Sequence, residues 1–287
     1  MKARIISAFR SNFKVYFEGE IYDVNLSGNL RHFNRNVIVG DYVTFNQDDL
    51  IISELIPAKN LLIRPKIANI DQLLIIMSAK EPDFSSLLVE TFLTYANSIE
   101  YVKPLVVISK IDLVSKDKLK EITNILEKLA VEYYLVNNLS GEGVEAIRGL
   151  LKGKTTAMMG QTGVGKSALI NALYPAFNRR TGEYSVRGGR GRHTTREVIL
   201  FPIGEETFLS DTPGFSSFTL PLQKEELPLY YPGINKYLGE CFFNDCQHLS
   251  EHNCAVKEAV NEGKLAKTSY ENYQKVYDEV AKQKIQY

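Results

Sequence analysis

Residues 160–167 match the pattern G-x-x-x-x-G-K-[ST] in full, and this match constrains the fold more strongly than any other feature of the sequence. The segment follows the apolar run 156–159 and precedes the helix-forming run 168–173, which is the strand–loop–helix order of a phosphate-binding loop. In such a loop, backbone N–H groups turn toward phosphate oxygens and the helix N-terminus adds its positive end. A chance glycine-rich turn is the alternative, and the flanking strand and helix argue against it.

The predicted nucleotide contacts of this loop are Gly160, Gln161, Thr162, Gly163, Val164, Gly165, Lys166, Ser167 and Ala168. We expect Lys166 to reach the β- and γ-phosphates and to act in catalysis, and Ser167 to supply an oxygen to Mg²⁺. Around this loop, buried apolar runs alternate with amphipathic stretches such as 116–130. That alternation predicts an α/β domain with a parallel sheet covered on both faces.

Residues 109–112, Ser-Lys-Ile-Asp, follow a buried run and resemble the N/T-K-x-D motif with which GTPases read guanine. The Asp112 carboxylate can accept two hydrogen bonds, from guanine N1–H and the 2-amino group, and adenine lacks that pair. The stem of Lys110 can lie along the base. Ser109 replaces the commoner Asn or Thr, so it can still bond toward the phosphate loop but with a shorter reach, which predicts weaker nucleotide binding. A surface Ser-Lys-x-Asp turn is the alternative.

The order of these motifs is inverted, because the guanine motif precedes the phosphate loop along the chain. In an ordinary GTPase the phosphate loop comes first. A circularly permuted sheet explains the inversion, with base-reading strands first, the phosphate-loop strand in the middle and the magnesium strands last. Residues 136–143 then fall where a second base-contacting loop is expected, although Asn137 and Asn138 stand in place of the usual Ser-Ala pair.

Residues 211–214, Asp-Thr-Pro-Gly, end another apolar run and match D-x-x-G. We expect Asp211 to act on Mg²⁺ through water, and the Gly214 amide to sense the γ-phosphate. Phe215 follows, at the position where Ras-like enzymes carry a glutamine that orients the attacking water. Intrinsic hydrolysis is therefore expected to be slow unless another group contributes.

Six arginines lie within residues 179–196 against a single acidic residue. This glycine-rich basic loop suits RNA phosphates, and an ordinary solvated loop is the alternative. Within it, Thr195 is preferred over Thr194 as the residue that completes magnesium coordination. His193 is a candidate catalytic group that positions or deprotonates water, or else a plain loop histidine.

All three cysteines of the chain fall in one short segment near its end. Together with a histidine they offer a Cys3His set suited to one tetrahedral, structural Zn²⁺, with Cys241, Cys246, His248 and Cys254 as ligands. Three buried free cysteines are the alternative, and His252 is an alternative fourth ligand. The odd count in a chain without an evident export signal argues against disulfides and indicates a cytoplasmic protein.

The fold class predicted is multi-domain. Short strands separated by turns in residues 1–66 indicate an OB-fold β-barrel, residues 67–220 the permuted GTPase domain, and residues 221–287 a helical zinc-binding domain. The closing stretch places Tyr270, Tyr273 and Tyr277 on one face of a helix, more in keeping with core packing than with an RNA-stacking platform. No window is apolar enough for a membrane span. The zero formal net charge restricts any RNA contact to local patches.

These residues together resemble the ribosome small-subunit-dependent GTPase A family over nearly the whole chain. The resemblance rests on the Cys3His cluster and on the segments 39–43, 62–65, 68–72, 78–82, 191–195 and 211–215. It implies hydrolysis of GTP to GDP, stimulated by the small (30S) ribosomal subunit, and a role late in the maturation of that subunit. It also implies that the OB-fold contacts 16S rRNA, with Lys14, Arg31 and Arg35 as candidates.

Two rival functions remain open on the sequence. In the first, the chain is a degenerate GTPase in which the barrel and zinc region hold RNA and the nucleotide is only structural; the intact Lys166, Ser167, Asp112 and Asp211 argue against it. In the second, the chain is an ATP-dependent small-molecule kinase, and Asp112 argues against that. Nothing in the sequence indicates a coiled coil or dimer face, so a monomer is expected.

Overall fold

The computed structural model describes residues 1–9, 12–28, 30, 36–175, 198–211 and 218–283. Several residues with predicted roles lie outside these ranges, namely Arg31, Arg35, His193, Thr194, Thr195 and Gly214. Asp211 is described by its backbone alone.

Five strands near the N-terminus close into a barrel: β1 (Lys2–Phe9), β2 (Asn12–Phe17), β3 (Glu20–Leu26), β4 (Tyr42–Asn46) and β5 (Ile51–Leu55). Their order is β1-β2-β3-β5-β4, and β1 closes the barrel by pairing with β4. The interior is filled by the inward-facing side chains of the strands, among them Ile5, Val15, Val43 and Ile52. The predicted N-terminal barrel is confirmed.

A small hairpin connects the barrel to the rest of the chain. It consists of β6 (Leu61–Leu62) and β7 (Ile67–Ala68), and the Ala68 N–H donates to the Val39 carbonyl at 2.9 Å. The division proposed at residue 66 falls inside this hairpin.

The central domain is built on a six-stranded sheet: β8 (Gln72–Ser78), β9 (Lys103–Ser109), β10 (Tyr133–Leu135), β11 (Thr155–Met159), β12 (Ile199–Gly204) and β13 (Thr207–Asp211). The strand order is β10-β9-β8-β11-β13-β12, and every pairing is parallel except that between β12 and β13. Every residue of β8 and of β11 is buried, as expected for inner strands covered on both faces.

Helices cover both faces of this sheet: α1 (Ser86–Asn97), α2 (Lys116–Leu129), α3 (Val144–Leu151) and α4 (Lys166–Leu173). Successive residues of β8 enter two different cores, Ile75 with α1 and α2, and Ile76 with α3 and α4. In α2 the apolar face predicted from the sequence is present, with Ile122 and Leu126 buried.

The C-terminal part contains α5 (Leu227–Tyr230), α6 (Ala255–Asn261) and α7 (Lys267–Ala281). Helix α7 packs against α1, with Tyr273 fully buried and Tyr270 and Tyr277 partly buried in the core. The predicted final helix and the core role of its tyrosines are thus confirmed. Within the described ranges, none of the helices has the length and apolar character needed to cross a membrane.

Candidate functional site

The phosphate loop leaves the sheet at the end of β11 and runs into α4. Gly160 is required at the strand end, because a Cβ there would lie 2.3 Å from the Ile76 carbonyl oxygen of the neighbouring strand. Gly165 precedes the helix with a left-handed φ of 91°, a conformation that favours glycine. The strand–loop–helix geometry that the sequence predicts is therefore present, at the centre of the sheet.

Lys166 begins α4 and its side chain folds back over the loop. It is only 8% exposed, and its Nζ donates to the carbonyls of Gly160 and Gln161, each at 2.7 Å. Ser167 follows on the first turn and is exposed. A cation held inside a loop of this shape, beside a helix N-terminus, creates a positive site suited to phosphate groups.

The predicted guanine motif lies on the base side of this loop, at the end of β9. The buried Ser109 Oγ lies 2.5 Å from the Val164 carbonyl oxygen and 3.2 Å from that of Met77. The bond toward the phosphate loop that the sequence suggests is thus observed. Lys110 adopts a left-handed conformation with φ 55° and its Nζ donates to the Glu81 carbonyl.

Asp112 lies in a short 3-10 helix, Ile111–Leu113, and is exposed. Its carboxylate is therefore accessible to a base that approaches the end of the sheet. The structure brings the three side chains of this motif to the same edge as the phosphate loop, as parallel strands require.

The predicted second base-contacting loop, residues 136–143, lies beside the phosphate loop. Asn137 Oδ1 accepts from the N–H groups of Leu139, at 2.9 Å, and Ser140, at 3.3 Å, and so shapes the loop itself. Asn138 instead reaches out of the loop, and its Nδ2 donates to the Gly165 carbonyl at 3.3 Å. The sequence does not reveal this contact, although the departure from the Ser-Ala pair marks the position.

Sequence reasoning also gave no role to the loop that follows β8. The Ser78 hydroxyl donates to the Pro82 carbonyl at 2.6 Å, and Pro82 Cδ lies 3.8 Å from the position of a Cβ built on Gly163. With the Glu81 carbonyl bound to Lys110, this loop lies between the guanine motif and the phosphate loop. The segment contributes to the family resemblance, but nothing in its residue types indicates these contacts.

On the magnesium side of the site, Asp211 is described by its backbone alone. Strand β13 ends at Asp211 and pairs in parallel with β11, so the D-x-x-G segment begins next to the phosphate loop. The roles of Thr195, His193 and Gly214 remain predictions, since those residues lie outside the described ranges.

The predicted Cys3His group comes together in the C-terminal part. The ligand atoms of Cys241, Cys246, His248 and Cys254 all lie within 4.8 Å of one another. His248 Nδ1 is 3.5 Å from Cys241 Sγ and 3.4 Å from Cys254 Sγ, and those two sulfurs are 3.9 Å apart. His252 is exposed and is not a member of the group.

The separations among Cys241, His248 and Cys254 fit a tetrahedral metal ion. Bonds of about 2.3 Å to sulfur and about 2.0–2.1 Å to nitrogen, at tetrahedral angles, place two sulfurs about 3.8 Å apart and sulfur and nitrogen about 3.6 Å apart. Burial lowers the pKa of His248 and so favours the neutral imidazole that binds metals. Burial also raises the pKa of the Cys246 thiol to about 12, so a bound cation is needed to hold its thiolate at neutral pH.

A buried polar cluster connects the central domain to the C-terminal helices. The Glu90 carboxylate, on α1, is 1% exposed and accepts from the Tyr231 hydroxyl at 2.8 Å, the Ser269 hydroxyl at 2.8 Å and Asn272 Nδ2 at 3.0 Å. Burial raises the pKa of Glu90, and the three hydrogen bonds oppose that shift. The cluster fixes α7 against the sheet domain.

A parallel sheet whose base-side strands precede its phosphate-loop strand, with the guanine motif and the phosphate loop in contact, defines a circularly permuted P-loop GTPase. The family profile described as RsgA GTPase matches residues 55–221. The chain is 40% identical to the small ribosomal subunit biogenesis GTPase RsgA of Halalkalibacterium halodurans, with 98% of each chain covered. This chain therefore belongs to the RsgA GTPase family and is a GTP-hydrolysing enzyme.

Further relatives agree with this assignment. The protein named small ribosomal subunit biogenesis GTPase RsgA 1 from Listeria monocytogenes is 38% identical, and 100% of each chain is covered. The crystal structure of YjeQ from Thermotoga maritima is 32% identical and superposes with a TM-score of 0.82 over 99% of each chain. The structure of YloQ, described as a circularly permuted GTPase, is 31% identical with a TM-score of 0.79, covering 100% of this chain and 96% of YloQ.

Proposed function

We propose that this enzyme hydrolyses GTP to GDP and phosphate in response to the small (30S) ribosomal subunit, late in the maturation of that subunit. The observation that carries the proposal is the contact between Ser109 and Val164, which joins the guanine motif to the phosphate loop in one site. The relatives that match nearly the whole chain are named for small-subunit biogenesis. Their names supply the ribosomal part of the proposal.

In this proposal, the exposed Asp112 accepts hydrogen bonds from guanine N1–H and the 2-amino group, and Lys110 lies along the base. The phosphates occupy the loop 160–167, where Lys166 exchanges its bonds to the Gly160 and Gln161 carbonyls for the β- and γ-phosphates. The exchange is favourable because charged phosphate oxygens are stronger acceptors than neutral carbonyls.

Mg²⁺ accompanies GTP in GTPases generally, and Ser167, Asp211 and Thr195 are the residues that would hold it here. It would neutralise charge on the β- and γ-phosphates. Ser167 is exposed on the first turn of α4, and Asp211 ends the neighbouring strand, so both positions suit this role. The Gly214 amide would donate a hydrogen bond to the γ-phosphate. His193 would position the attacking water, because position 215 carries Phe rather than the glutamine of Ras-like enzymes.

The Cys3His group would hold one Zn²⁺ with no open coordination position, so the metal is structural. The proposed division into an OB-fold (1–66), a GTPase domain (67–220) and a zinc-binding helical domain (221–287) then places one function in each part. In the barrel, Lys14 already pairs with Asp23 at 2.8 Å, so a contact from Lys14 to 16S rRNA requires exchange of that partner. We expect the enzyme to act as a cytoplasmic monomer.

The proposal is tested by GTP turnover of the purified protein, alone and with purified 30S subunits. We expect slow basal turnover and a rise on the order of a hundredfold or more with subunits, as when a partner completes a GTPase site. The Lys166→Ala variant is expected to lose both rates, which excludes a contaminating GTPase. If subunits leave the turnover unchanged while GTP binding is intact, the ribosomal part of the proposal is contradicted and the assignment as a GTPase still stands.

A further inference from the structure

Two side chains from the predicted base-contacting loops, Ser109 and Asn138, donate to successive carbonyls of the phosphate loop. Ser109 Oγ is 2.5 Å from the Val164 oxygen, and Asn138 Nδ2 is 3.3 Å from the Gly165 oxygen. Ser109 ends β9, and Asn138 follows the neighbouring β10. A Cβ built on Gly165 would lie 3.2 Å from Asn138 Nδ2 and 3.7 Å from Ser109 Oγ, so both side chains meet the loop at one point.

Ser109 can donate to only one carbonyl at a time. The Ser109 hydroxyl has one proton, while two carbonyls, those of Val164 and Met77, lie within its reach. An asparagine at position 109, the commoner residue there, would carry two N–H donors. In this chain the side-chain amide donor lies instead at position 138, and it binds a third carbonyl, that of Gly165, which also accepts the Leu169 N–H in the first turn of α4.

We propose that Asn138 is a positioning residue of the nucleotide site that compensates for Ser109. Its amide attaches the second base-side loop to the start of α4, and so sets the distance between the guanine-reading edge and the phosphate loop. This inference rests on the proposed guanine-nucleotide site and adds a coupling between positions 109 and 138. Asn138 Oδ1 is buried with no partner among the described residues, a cost that proteins tolerate at functional sites.

The test is a double-mutant cycle on the affinity for a fluorescent GDP analogue, N-methylanthraniloyl-GDP. Asn138→Ala is expected to weaken binding about tenfold, the effect of losing one hydrogen bond that positions the site. In a Ser109→Asn background, where the amide at position 109 supplies the donor, the same change is expected to weaken binding less than about twofold. The inference is therefore supported only if the effects of the changes at positions 109 and 138 are not additive.

A neighbouring asparagine provides the matched control. Asn137 bonds within its own loop, so Asn137→Ala is expected to have the same effect in the natural chain as in the Ser109→Asn background. Equal losses for Asn138→Ala in both backgrounds, or no loss in the natural chain, would overturn the inference while leaving the nucleotide site intact. Failure of the natural chain to bind the GDP analogue would overturn the proposed site and this inference together. Thermal unfolding without nucleotide verifies that each variant is folded.

Discussion

Arg4 of the barrel donates a 2.6 Å hydrogen bond to the hydroxyl of Thr155, the first residue of the strand that ends in the phosphate loop. Its guanidinium carbon also lies 4.8 Å from the centre of the Tyr42 ring and 4.7 Å from that of Phe208, on β13. A second N–H group donates to the Asn69 carbonyl at 2.8 Å. One buried side chain thus joins the barrel to two strands of the nucleotide site.

We predict that Arg4→Ala lowers the free energy of unfolding by about 2–4 kcal/mol, because it removes these hydrogen bonds and leaves a cavity between the domains. Thermal and denaturant unfolding measure the change. The exposed Lys2, whose Nζ lies 4.4 Å from the Tyr42 ring centre, provides the control. Lys2→Ala is expected to cost no more than about 1 kcal/mol. Equal losses for the two variants would contradict the prediction.

Glu90 is predicted to make stability depend on pH. Its pKa is raised by burial above the ordinary value of 4.5, so its contribution is fully present below that value and is lost as pH rises through the higher pKa of the folded state. Compared with Glu90→Gln, which cannot ionise, the natural protein should therefore become relatively less stable as the pH rises above 4.5.

The measurement is the difference in unfolding free energy between these two proteins across that pH range. Among the described residues that donate to the Glu90 carboxylate, Tyr231 alone is titratable, and its own pKa is raised well above 10, so it stays protonated throughout. A constant offset between the proteins would show that Glu90 does not titrate in this range.

Removal of the metal is predicted to unfold the C-terminal region locally. Cys246→Ser should abolish binding of one equivalent of zinc and lower the thermal midpoint, since a structural zinc contributes on the order of 10 kcal/mol to local folding. Elemental analysis and circular dichroism measure the two effects. His252→Ala, outside the Cys3His group, should keep its zinc. Retention of zinc by Cys246→Ser together with its loss from His252→Ala would contradict this assignment of the ligands.

Base selection is predicted to depend on Asp112. In Asp112→Asn, the amide cannot accept from both guanine N–H groups, so kcat/KM for GTP should fall about a hundredfold or more. Xanthine carries a carbonyl in place of the 2-amino group, and the new amide can donate to it, so xanthosine triphosphate should become a substrate. Asp117→Asn, an exposed neighbour on α2, should leave the preference for GTP unchanged. Loss of activity with both GTP and xanthosine triphosphate would count against direct base recognition by Asp112.

The barrel, the parallel sheet and the metal group could be predicted from the sequence because each depends on a local pattern. Strand β1 is an element whose burial the local sequence pattern does not predict. Ile5 enters the barrel core while the adjacent Ile6 packs against the central domain, so β1 is buried on both sides and shows no simple alternation. Its polar residues Arg4 and Ser7 are buried as well.

In the site, too, some features could be predicted from the sequence and others could not. The phosphate loop, the guanine motif and the Cys3His group are short motifs whose residue types reveal their chemistry. The contacts of Asn138 with Gly165 and of Glu90 with Asn272 join residues far apart in the chain, and no local pattern encodes such pairs. They follow from the topology, which brings strand ends and helix faces together only once the chain is folded.

The permuted strand order also has a consequence for synthesis. The chain makes β8, β9 and β10 first, and this half of the sheet carries Ser109 and Asn138; the half with β11, β12 and β13 follows and carries the phosphate loop. The β8 edge therefore waits unpaired on the ribosome until β11 emerges and docks beside it. A guanine nucleotide bound by both motifs would span that seam, so its binding would require the two halves to have joined and would stabilise the joined state.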